Sequence, residues 1–149
     1  MTLAYVGLGA NLGDRERMIR LAAEAIGGRR LSTIRETEPW GLVDQPPFLN
    51  AVAELETELP PRALLDRLLE VEQELGRVRD GPRWGPRTID LDLLVQGDLV
   101  IDEPGLTLPH PRLAERRFVL EPLAELAPEL EIPGLGRVQT LLAGLQSTS

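Results

Sequence analysis

Six segments of regular pattern follow one another in this chain, and their order limits the fold more than any other feature. Apolar residues alternate or cluster over four short segments, and they recur every three or four residues over two longer ones. The strands fall at residues 2–9, 30–37, 48–57 and 88–95, and the helices fall at residues 15–26 and 61–76. The order strand, helix, strand, strand, helix, strand predicts an α+β fold of the ferredoxin-like βαββαβ plan, in which two helices cover one face of an antiparallel sheet.

Residues at the ends of the two helical segments support these boundaries. Asp14 is a suitable N-cap for the first helix, and Gly27 follows its last turn. Pro61 fits the first turn of the second helix, and Gly76 stands where a terminal glycine is common. The second helix is predicted to have an apolar stripe formed by Leu64, Leu65, Leu68, Leu69 and Leu75.

The remaining segments are shorter and less regular. The stretch "EPWGLVDQPP", residues 38–47, is too rich in proline and glycine for a helix or a strand. After the last strand, "QGD" predicts a turn that brings "LVI" back as a short hairpin, and the tail from Pro109 onward predicts short helices separated by prolines. With 149 residues, of which 42% are hydrophobic, the chain is expected to form a single domain, residues 1–149.

Charge and cysteine content exclude several classes of protein. The net charge of −8 opposes binding to nucleic acid or to an anionic membrane, because the long-range field repels polyanions. The absence of cysteine excludes disulfides, thiol nucleophiles and cysteine-bound zinc. No run approaches the ~18 apolar residues of a membrane span, and the first residues lack the pattern of a secretion signal. We therefore expect a cytoplasmic protein in which any phosphate chemistry depends on a local concentration of positive charge.

Two aspartates interrupt the apolar run of the last strand, "TIDLDLLV". Because side chains alternate along a strand, Asp90 and Asp92 should share one face, while Ile89, Leu91 and Leu93 point into the core. The Cα atoms of the two aspartates should lie ~7 Å apart by strand rise. Two carboxylates at that separation can share hard cations such as Mg²⁺. A half-buried strand with a solvated acidic face explains the same pattern.

The loop before this strand concentrates positive charge in an otherwise acidic protein. Residues 77–87, "RVRDGPRWGPR", hold four arginines against one aspartate. Forked, permanently charged guanidinium groups suit phosphate oxygens, and the prolines and glycines indicate a shaped loop. The alternative is that these arginines pair with surface glutamates. Carboxylates for a metal beside guanidiniums for phosphate indicate phosphoryl transfer.

Two further motifs are ambiguous on their own. The stretch "GLGANLG" resembles a dinucleotide-binding turn, but Gly7, Gly9 and Gly13 miss the required spacing. The antiparallel plan also lacks the parallel crossover of such proteins, which favours a tight strand-to-helix turn. His110 is the single histidine and lies between two prolines. It is either a structural residue or, with the arginines that follow it, a phosphate-facing one.

Four stretches together resemble one family of enzymes. These are "GANLGD", "DQPPFLNAV", "RWGPRTIDLDLL" and "LPHPRLAERRFVLEPL", and they look like motifs of the 6-hydroxymethyl-7,8-dihydropterin pyrophosphokinases of folate biosynthesis. The resemblance runs from the first strand to about Pro128. It implies a monomeric, ferredoxin-like enzyme that uses ATP and two Mg²⁺ ions. The implied reaction transfers the β,γ-pyrophosphoryl group of ATP to the hydroxymethyl oxygen of the pterin and releases AMP.

The resemblance also implies roles for individual residues. The implied catalytic set is Arg77, Arg87, Asp90 and Asp92, of which the two aspartates would hold the metal ions. The implied nucleotide contacts are Glu72, Arg77, Arg87, Thr107, His110 and Arg116. The implied pterin contacts are Thr37, Trp40, Leu42, Phe48, Asn50, Trp84 and Phe118. In this set the two phenylalanines would stack on the flat ring, and the asparagine would bond its edge.

Three other functions share parts of this pattern. An RNA-recognition module has the same strand order, but its sheet face needs basic and aromatic residues where "FLNAVAELE" carries glutamates. A small-molecule regulatory domain needs neither the aspartate pair nor the arginine loop. A metal-dependent nucleotidyltransferase also uses paired carboxylates on a sheet, and the identity of its products distinguishes it from a pyrophosphokinase.

Overall fold

The computed structural model describes residues 2–10, 14–37, 48–77 and 89–147. The helices are α1 Arg15–Ala25, α2 Pro61–Arg77, α3 Arg117–Leu126 and α4 Val138–Ser147, with a short 3₁₀ helix at Leu113–Glu115. The strands are β1 Thr2–Ala10, β2 Arg30–Leu31, β3 Arg35–Thr37, β4 Phe48–Thr57, β5 Asp90–Gln96, β6 Ile101–Glu103, β7 Leu106–Leu108, β8 Glu131–Ile132 and β9 Gly136–Arg137. None of the helices in these described ranges has both the length and the apolar character needed to cross a membrane.

One antiparallel sheet organises the fold. β4 pairs with β1 on one side and with both β2 and β3 on the other, and β1 pairs in turn with β5. The single strand predicted over residues 30–37 is divided in two. Its register on β4 shifts by one residue between Leu31 and Arg35, and at this break the Ser32 hydroxyl accepts the Val52 amide hydrogen at 2.9 Å in place of a backbone carbonyl. The strand order is that of the ferredoxin-like plan, and the predicted fold class is confirmed.

Helices α1 and α2 cover one face of this sheet. The predicted N-cap of α1 is confirmed, since the Asp14 side chain accepts the amide hydrogen of Arg17 at 3.3 Å. Gly27 ends this helix with a φ of +81°, a conformation that a side chain would strain. On α2 the prediction for Leu69 was wrong, because its side chain is 45% exposed and Val71 takes the buried position. The helix period brings Leu64, Leu68 and Val71 to the sheet.

The chain's tail forms a second core on the opposite face of the sheet. The predicted short helices are present as the 3₁₀ helix, α3 and α4. Their apolar side chains pack against Tyr5, Val52 and Leu94 of the sheet. A register shift between Tyr5 and Val6 turns both Leu94 and Val95 toward this second core. These helices leave the neighbouring part of the same sheet face open, and that part forms the site described below.

The short hairpin is present, but its strands differ from the predicted ones. The "QGD" turn was expected to fold "LVI" back on the preceding strand. Instead, Ile101–Glu103 pairs with Leu106–Leu108, and these two strands form a separate ladder. Gly105, with a φ of +79°, provides the turn between them.

A buried polar pair joins β1 and β4 beneath the tail. The Tyr5 hydroxyl donates a hydrogen bond of 2.6 Å to Oε2 of Glu54, whose side chain is almost fully buried. Arg29 and Arg30 bind the same carboxylate at 3.3 and 3.4 Å from the solvent side. Burial and the bond to Glu54 raise the pKa of Tyr5 above its ordinary value. The carboxylate is therefore compensated on both sides, as a buried charge requires.

Candidate active site

The floor of the candidate site is a row of four residues that crosses the sheet. Arg35 lies opposite Asn50, Asn50 opposite Gly9, and Gly9 opposite Asp90. Directly opposed residues in an antiparallel sheet project to the same face, so a guanidinium, an amide, a bare glycine and a carboxylate follow one another. Three strand spacings separate the two ends of the row, which puts the Cα atoms of Arg35 and Asp90 about 14 Å apart.

A second row lies one pleat further along and extends the acidic end. Gly7 of β1 lies opposite Asp92 of β5, so each of the two aspartates has a glycine, which lacks a side chain, opposite it on β1. Asp90 is half-buried and Asp92 is exposed, whereas Leu91 between them is buried. The alternation predicted for these residues is confirmed. Bare backbone beside two carboxylates leaves room for ligand atoms on the floor of the site.

Helix α3 and the segment before it form the other wall, and together with the sheet they enclose a cleft of about 1070 Å³. Phe48 and Asn50 line the cleft from β4, and Phe118 lines it from the first turn of α3. The Arg116 guanidinium lies 5.6 Å from the centroid of the Phe118 ring, which is within the range of a cation–π contact. Six predicted site residues therefore line one cleft, namely Phe48, Asn50, Asp90, Asp92, Arg116 and Phe118.

The arginines of the cleft differ in their partners. Arg112 and Arg116 line it and form no ion pair with any residue that the structure describes. Arg35 also lines it, but Glu125 of α3 binds its guanidinium at 3.0 Å. In a protein of net charge −8, guanidiniums without carboxylate partners are suited to binding an anionic ligand.

His110 does not line the cleft but lies beside its acidic end. Its amide donates to the carbonyl of Leu94 in β5 at 2.9 Å, and its Nδ1 accepts the amide hydrogen of Arg112 at 3.2 Å. A neutral imidazole with Nδ1 as acceptor carries its proton on Nε2. Burial lowers the pKa of His110, the nearby arginines Arg116 and Arg112 lower it further, and Asp92 opposes them. The ring is therefore held as a neutral hydrogen-bond donor.

Glu72 and Thr107 take positions outside the cleft wall. Oε2 of Glu72 accepts the amide hydrogen of Leu91 at 2.7 Å, which fixes the backbone between the two aspartates. Thr107 lies on β7 opposite Asp102, in the separate hairpin. Both were expected to contact the nucleotide, and neither lines the cleft in this structure.

The other predicted site residues are described only in part or not at all. Thr37 ends β3 opposite Phe48, and Arg77 ends α2, but their side chains lie outside what the structure describes. Four more predicted site residues lie outside the described residues, namely Trp40, Leu42, Trp84 and Arg87.

The sequence interpretation missed Arg35, Gly7, Gly9 and Glu125. Alternation along β3 and β4 would have placed Arg35 on the face of Asn50, had the register between the strands been known. Gly7 and Gly9 lie within β1 as the predicted strand over residues 2–9 requires, but the stretch "GLGANLG" was interpreted only as a strand-to-helix turn and not as the floor of a site. Glu125 meets Arg35 across 90 residues of sequence, and no local pattern indicates that contact.

The two aspartates suit a hard divalent cation. Among the described residues, no group of three or more His, Cys, Asp or Glu side chains could hold a metal ion. Asp90 and Asp92 therefore offer two carboxylates and leave the remaining coordination positions to ligand oxygens and water. That donor set matches Mg²⁺, which is commonly bound through one or two carboxylates together with substrate phosphates.

The strand order, the helices on one face and the open cleft on the other define a ferredoxin-like α+β protein. The chain matches the model of the 7,8-dihydro-6-hydroxymethylpterin-pyrophosphokinase family over residues 5–128. The chain belongs to this family, so the resemblance seen in the sequence is confirmed.

Similar curated proteins agree with this membership, and a solved structure agrees with the fold. Two proteins named 2-amino-4-hydroxy-6-hydroxymethyldihydropteridine pyrophosphokinase are similar to this chain. The one from Methylorubrum extorquens is 48% identical over 90% of this chain and 88% of its own length. The one from Pseudomonas aeruginosa is 46% identical over 93% of this chain and 89% of its own length. The crystal structure of wild-type Plasmodium falciparum HPPK-DHPS superposes with a TM-score of 0.75 at 15% identity, over 98% of this chain and 41% of that one, and supports the fold alone.

Proposed function

We propose that this protein transfers the β,γ-pyrophosphoryl group of ATP to the hydroxymethyl oxygen of 6-hydroxymethyl-7,8-dihydropterin and releases AMP, as a step of folate biosynthesis. Family membership supports the reaction. The observation that carries its assignment to this cleft is the row across the sheet, in which an amide and a carboxylate lie on either side of a bare glycine. Such a floor offers a hydrogen-bonding end for a heterocycle and an anionic end for metal-bound phosphates.

The pterin is proposed to occupy the end formed by β3 and β4. Asn50 offers an amide for the polar edge of the ring, and Phe48 and Phe118 offer aromatic faces from the two walls of the cleft. Thr37, Trp40, Leu42 and Trp84 are proposed to complete this end, by resemblance to the family. A flat, largely uncharged ring needs no cation here, and Arg35, which lines this end in the described part of the chain, is already paired.

ATP is proposed to occupy the end formed by β5 and the start of α3. Asp90 and Asp92 would hold two Mg²⁺ ions, which when bound would neutralise charge on the phosphoryl oxygens. Arg116 and His110 supply hydrogen-bond donors on the same side, as the implied nucleotide contacts require. Four further nucleotide contacts are proposed from the resemblance, namely Glu72, Arg77, Arg87 and Thr107.

Positioning explains how these residues would promote the reaction. The hydroxymethyl oxygen attacks the β-phosphorus, the bond from that phosphorus to the α,β-bridging oxygen breaks, and AMP leaves with that oxygen. Phosphoryl transfer passes through a loose transition state, so alignment and charge neutralisation contribute more than a strong base does. Asn50 and the two phenylalanines would orient the acceptor, while Arg116 and the neutral His110 donate to the phosphates. The proton of the attacking hydroxyl is lost to solvent.

Phosphorus NMR of the complete reaction tests the proposal. With Mg²⁺, ATP and hydroxymethyl-dihydropterin, we expect the resonances of AMP and of a pterin diphosphate. ADP with a pterin monophosphate would indicate an ordinary kinase. Free pyrophosphate with an adenylylated pterin would indicate a nucleotidyltransferase, and either result would overturn the assignment.

That the protein is a single domain and acts as a monomer in the cytoplasm stays a prediction.

A further inference from the structure

Arg35 lies at the β3–β4 end of the cleft, which is the end proposed to bind the uncharged pterin and not the phosphates of ATP. Arg35 projects from β3 beside Asn50, at the opposite end of the row from Asp90. A free guanidinium at that position would attract phosphate as Arg112 and Arg116 do at the other end. The cleft would then offer positive charge at both ends, and a polyphosphate could bind in either direction.

The structure removes this ambiguity by pairing Arg35 with a carboxylate. Oε1 of Glu125 lies 3.0 Å from Nη2 of Arg35, and both side chains are about one-third exposed. Oε2 of the same carboxylate accepts the amide hydrogen of Thr33 at 2.8 Å and the Thr33 hydroxyl at 3.0 Å. Three donors therefore hold Glu125 in one position, and helix α3 is fixed to the edge of the sheet.

The position of Arg35 leaves one of its hydrogen-bond donors unsatisfied, which lowers the stability of the fold. Its Nη1 is buried and has no hydrogen-bond partner among the described residues. A buried donor without an acceptor is destabilising, so the guanidinium is held against Glu125 in spite of this penalty. Two other acidic residues line the described part of the cleft near this end and have partners of their own. Glu36 pairs with Arg15 at 3.8 Å, and Glu121 pairs with Arg117 at 3.4 Å, so among the described residues Glu125 is the carboxylate that neutralises Arg35.

We infer that Glu125 determines which end of the cleft accepts phosphate, by neutralising Arg35 and thereby reserving the β3–β4 end for an uncharged heterocycle. Glu125 is a specificity-determining residue that acts through Arg35 and not by contact with substrate. The inference rests on the proposed function, because it assumes that the pterin occupies the end that contains Asn50.

The test is a competition between the pterin and a polyphosphate at this end. Hydroxymethyl-dihydropterin is titrated calorimetrically into the full-length protein, with and without inorganic tripolyphosphate, at constant free Mg²⁺. In the wild type, tripolyphosphate should leave the pterin Kd unchanged. In Glu125→Gln, which keeps an acceptor oxygen for Thr33 but loses the charge, tripolyphosphate should raise the apparent pterin Kd about tenfold, the factor that 1.4 kcal/mol represents. Without tripolyphosphate, the variant should bind pterin as the wild type does.

Two controls separate this charge effect from a structural one. The double variant Arg35→Gln/Glu125→Gln lacks the freed cation and should lose the sensitivity to tripolyphosphate. Glu131→Gln breaks a similar ion pair of 3.2 Å with Arg137 that does not line the cleft, and it should behave as the wild type. Glu125→Ala repeats the test by removing the carboxylate entirely, and it serves if Glu125→Gln does not fold.

The possible outcomes distinguish failure of this inference from failure of the proposed function. If the pterin Kd of the single variants is insensitive to tripolyphosphate, or if the double variant stays sensitive, the role assigned to Glu125 is wrong. If the wild-type protein binds no pterin at all, the proposed function itself fails.

Discussion

The glycine at the centre of the site provides the sharpest test of how the floor of the cleft recognises its ligand. Gly9 lies between Asn50 and Asp90 in the row across the sheet. A Cβ atom at Gly9 would lie 3.1 Å from Oδ1 of Asn50 and 3.9 Å from Cδ1 of Phe48. Gly9→Ala therefore crowds the amide proposed to bond the pterin, and it leaves the aromatic ring in ordinary contact.

The size of the effect follows from this distance. Contacts below 3.4 Å require the neighbour to move by a few tenths of an ångström, so the Asn50 amide must shift by about that amount. Misaligning one hydrogen bond in a desolvated site costs about 1–2 kcal/mol. We expect the pterin Kd of Gly9→Ala to rise about 5- to 30-fold. Its stability should change little, because the gain of about 0.5–1 kcal/mol from replacing a strand glycine with alanine is opposed by the close contact with Asn50.

Gly7→Ala is the matched control, since it lies on the same strand and the same face. Its Cβ would meet Leu94 at 3.6 Å, an ordinary van der Waals contact, and would not touch Asn50. Calorimetric titration of both variants with hydroxymethyl-dihydropterin, together with thermal melts, checks the prediction. An equal loss of pterin affinity in the two variants, or no loss in Gly9→Ala, would refute the reasoning.

Three further predictions concern the paired carboxylates, the half-buried His110 and the buried Tyr5. Asp90→Asn and Asp92→Asn should each lower turnover by at least about 100-fold, while circular dichroism and the melting temperature stay unchanged. Near-normal activity in both variants would contradict the metal assignment. The ring protons of the single histidine, His110, should titrate below 6.5 by NMR. Because the pKa of His110 is lower in the folded state than in the unfolded state, the contribution of His110 to the stability of the fold should fall as the pH drops through 6.5. A measured pKa at or above 6.5 would contradict this prediction. Tyr5→Phe removes a donor from the buried Glu54 and should lower the free energy of unfolding in urea by about 1–3 kcal/mol, and an unchanged midpoint would mean that this bond contributes nothing.

Local patterns in the sequence predicted much of the fold. The shared face of Asp90 and Asp92 follows from alternation alone, and the Asp14 cap follows from residue type and position. The division of the second strand was not predictable in this way. The Ser32 hydroxyl replaces a backbone acceptor for Val52, and a residue's propensity does not indicate such a substitution.

The features that the sequence analysis predicted wrongly or did not predict depend on contacts between segments that are distant in the chain. Leu69 and Val71 fit an apolar helix face about equally well, and the packing of α2 on the sheet decides between them. The covering of the second sheet face by α3 and α4 depends on where the tail turns, which periodicity does not determine. For the same reason the arginines of the cleft could not be sorted from sequence. Arg35 acquires a partner only when α3 lies over β3, and Arg116 does not acquire one in the described structure.

Strand β5 ends the sheet in the described part of the chain, and this position gives its acidic residues a second consequence. An exposed edge strand offers unpaired amide groups to which another polypeptide can add, and this is a common route to aggregation. Here the carboxylate of Glu72 occupies the amide of Leu91, and Asp90 and Asp92 place like charges on either side of it. A second copy of β5 brought alongside would have to displace that carboxylate and bring four aspartates together. The carboxylate of Glu72 and the amide of His110, which donates to the carbonyl of Leu94, therefore leave fewer backbone groups on this edge available to another strand.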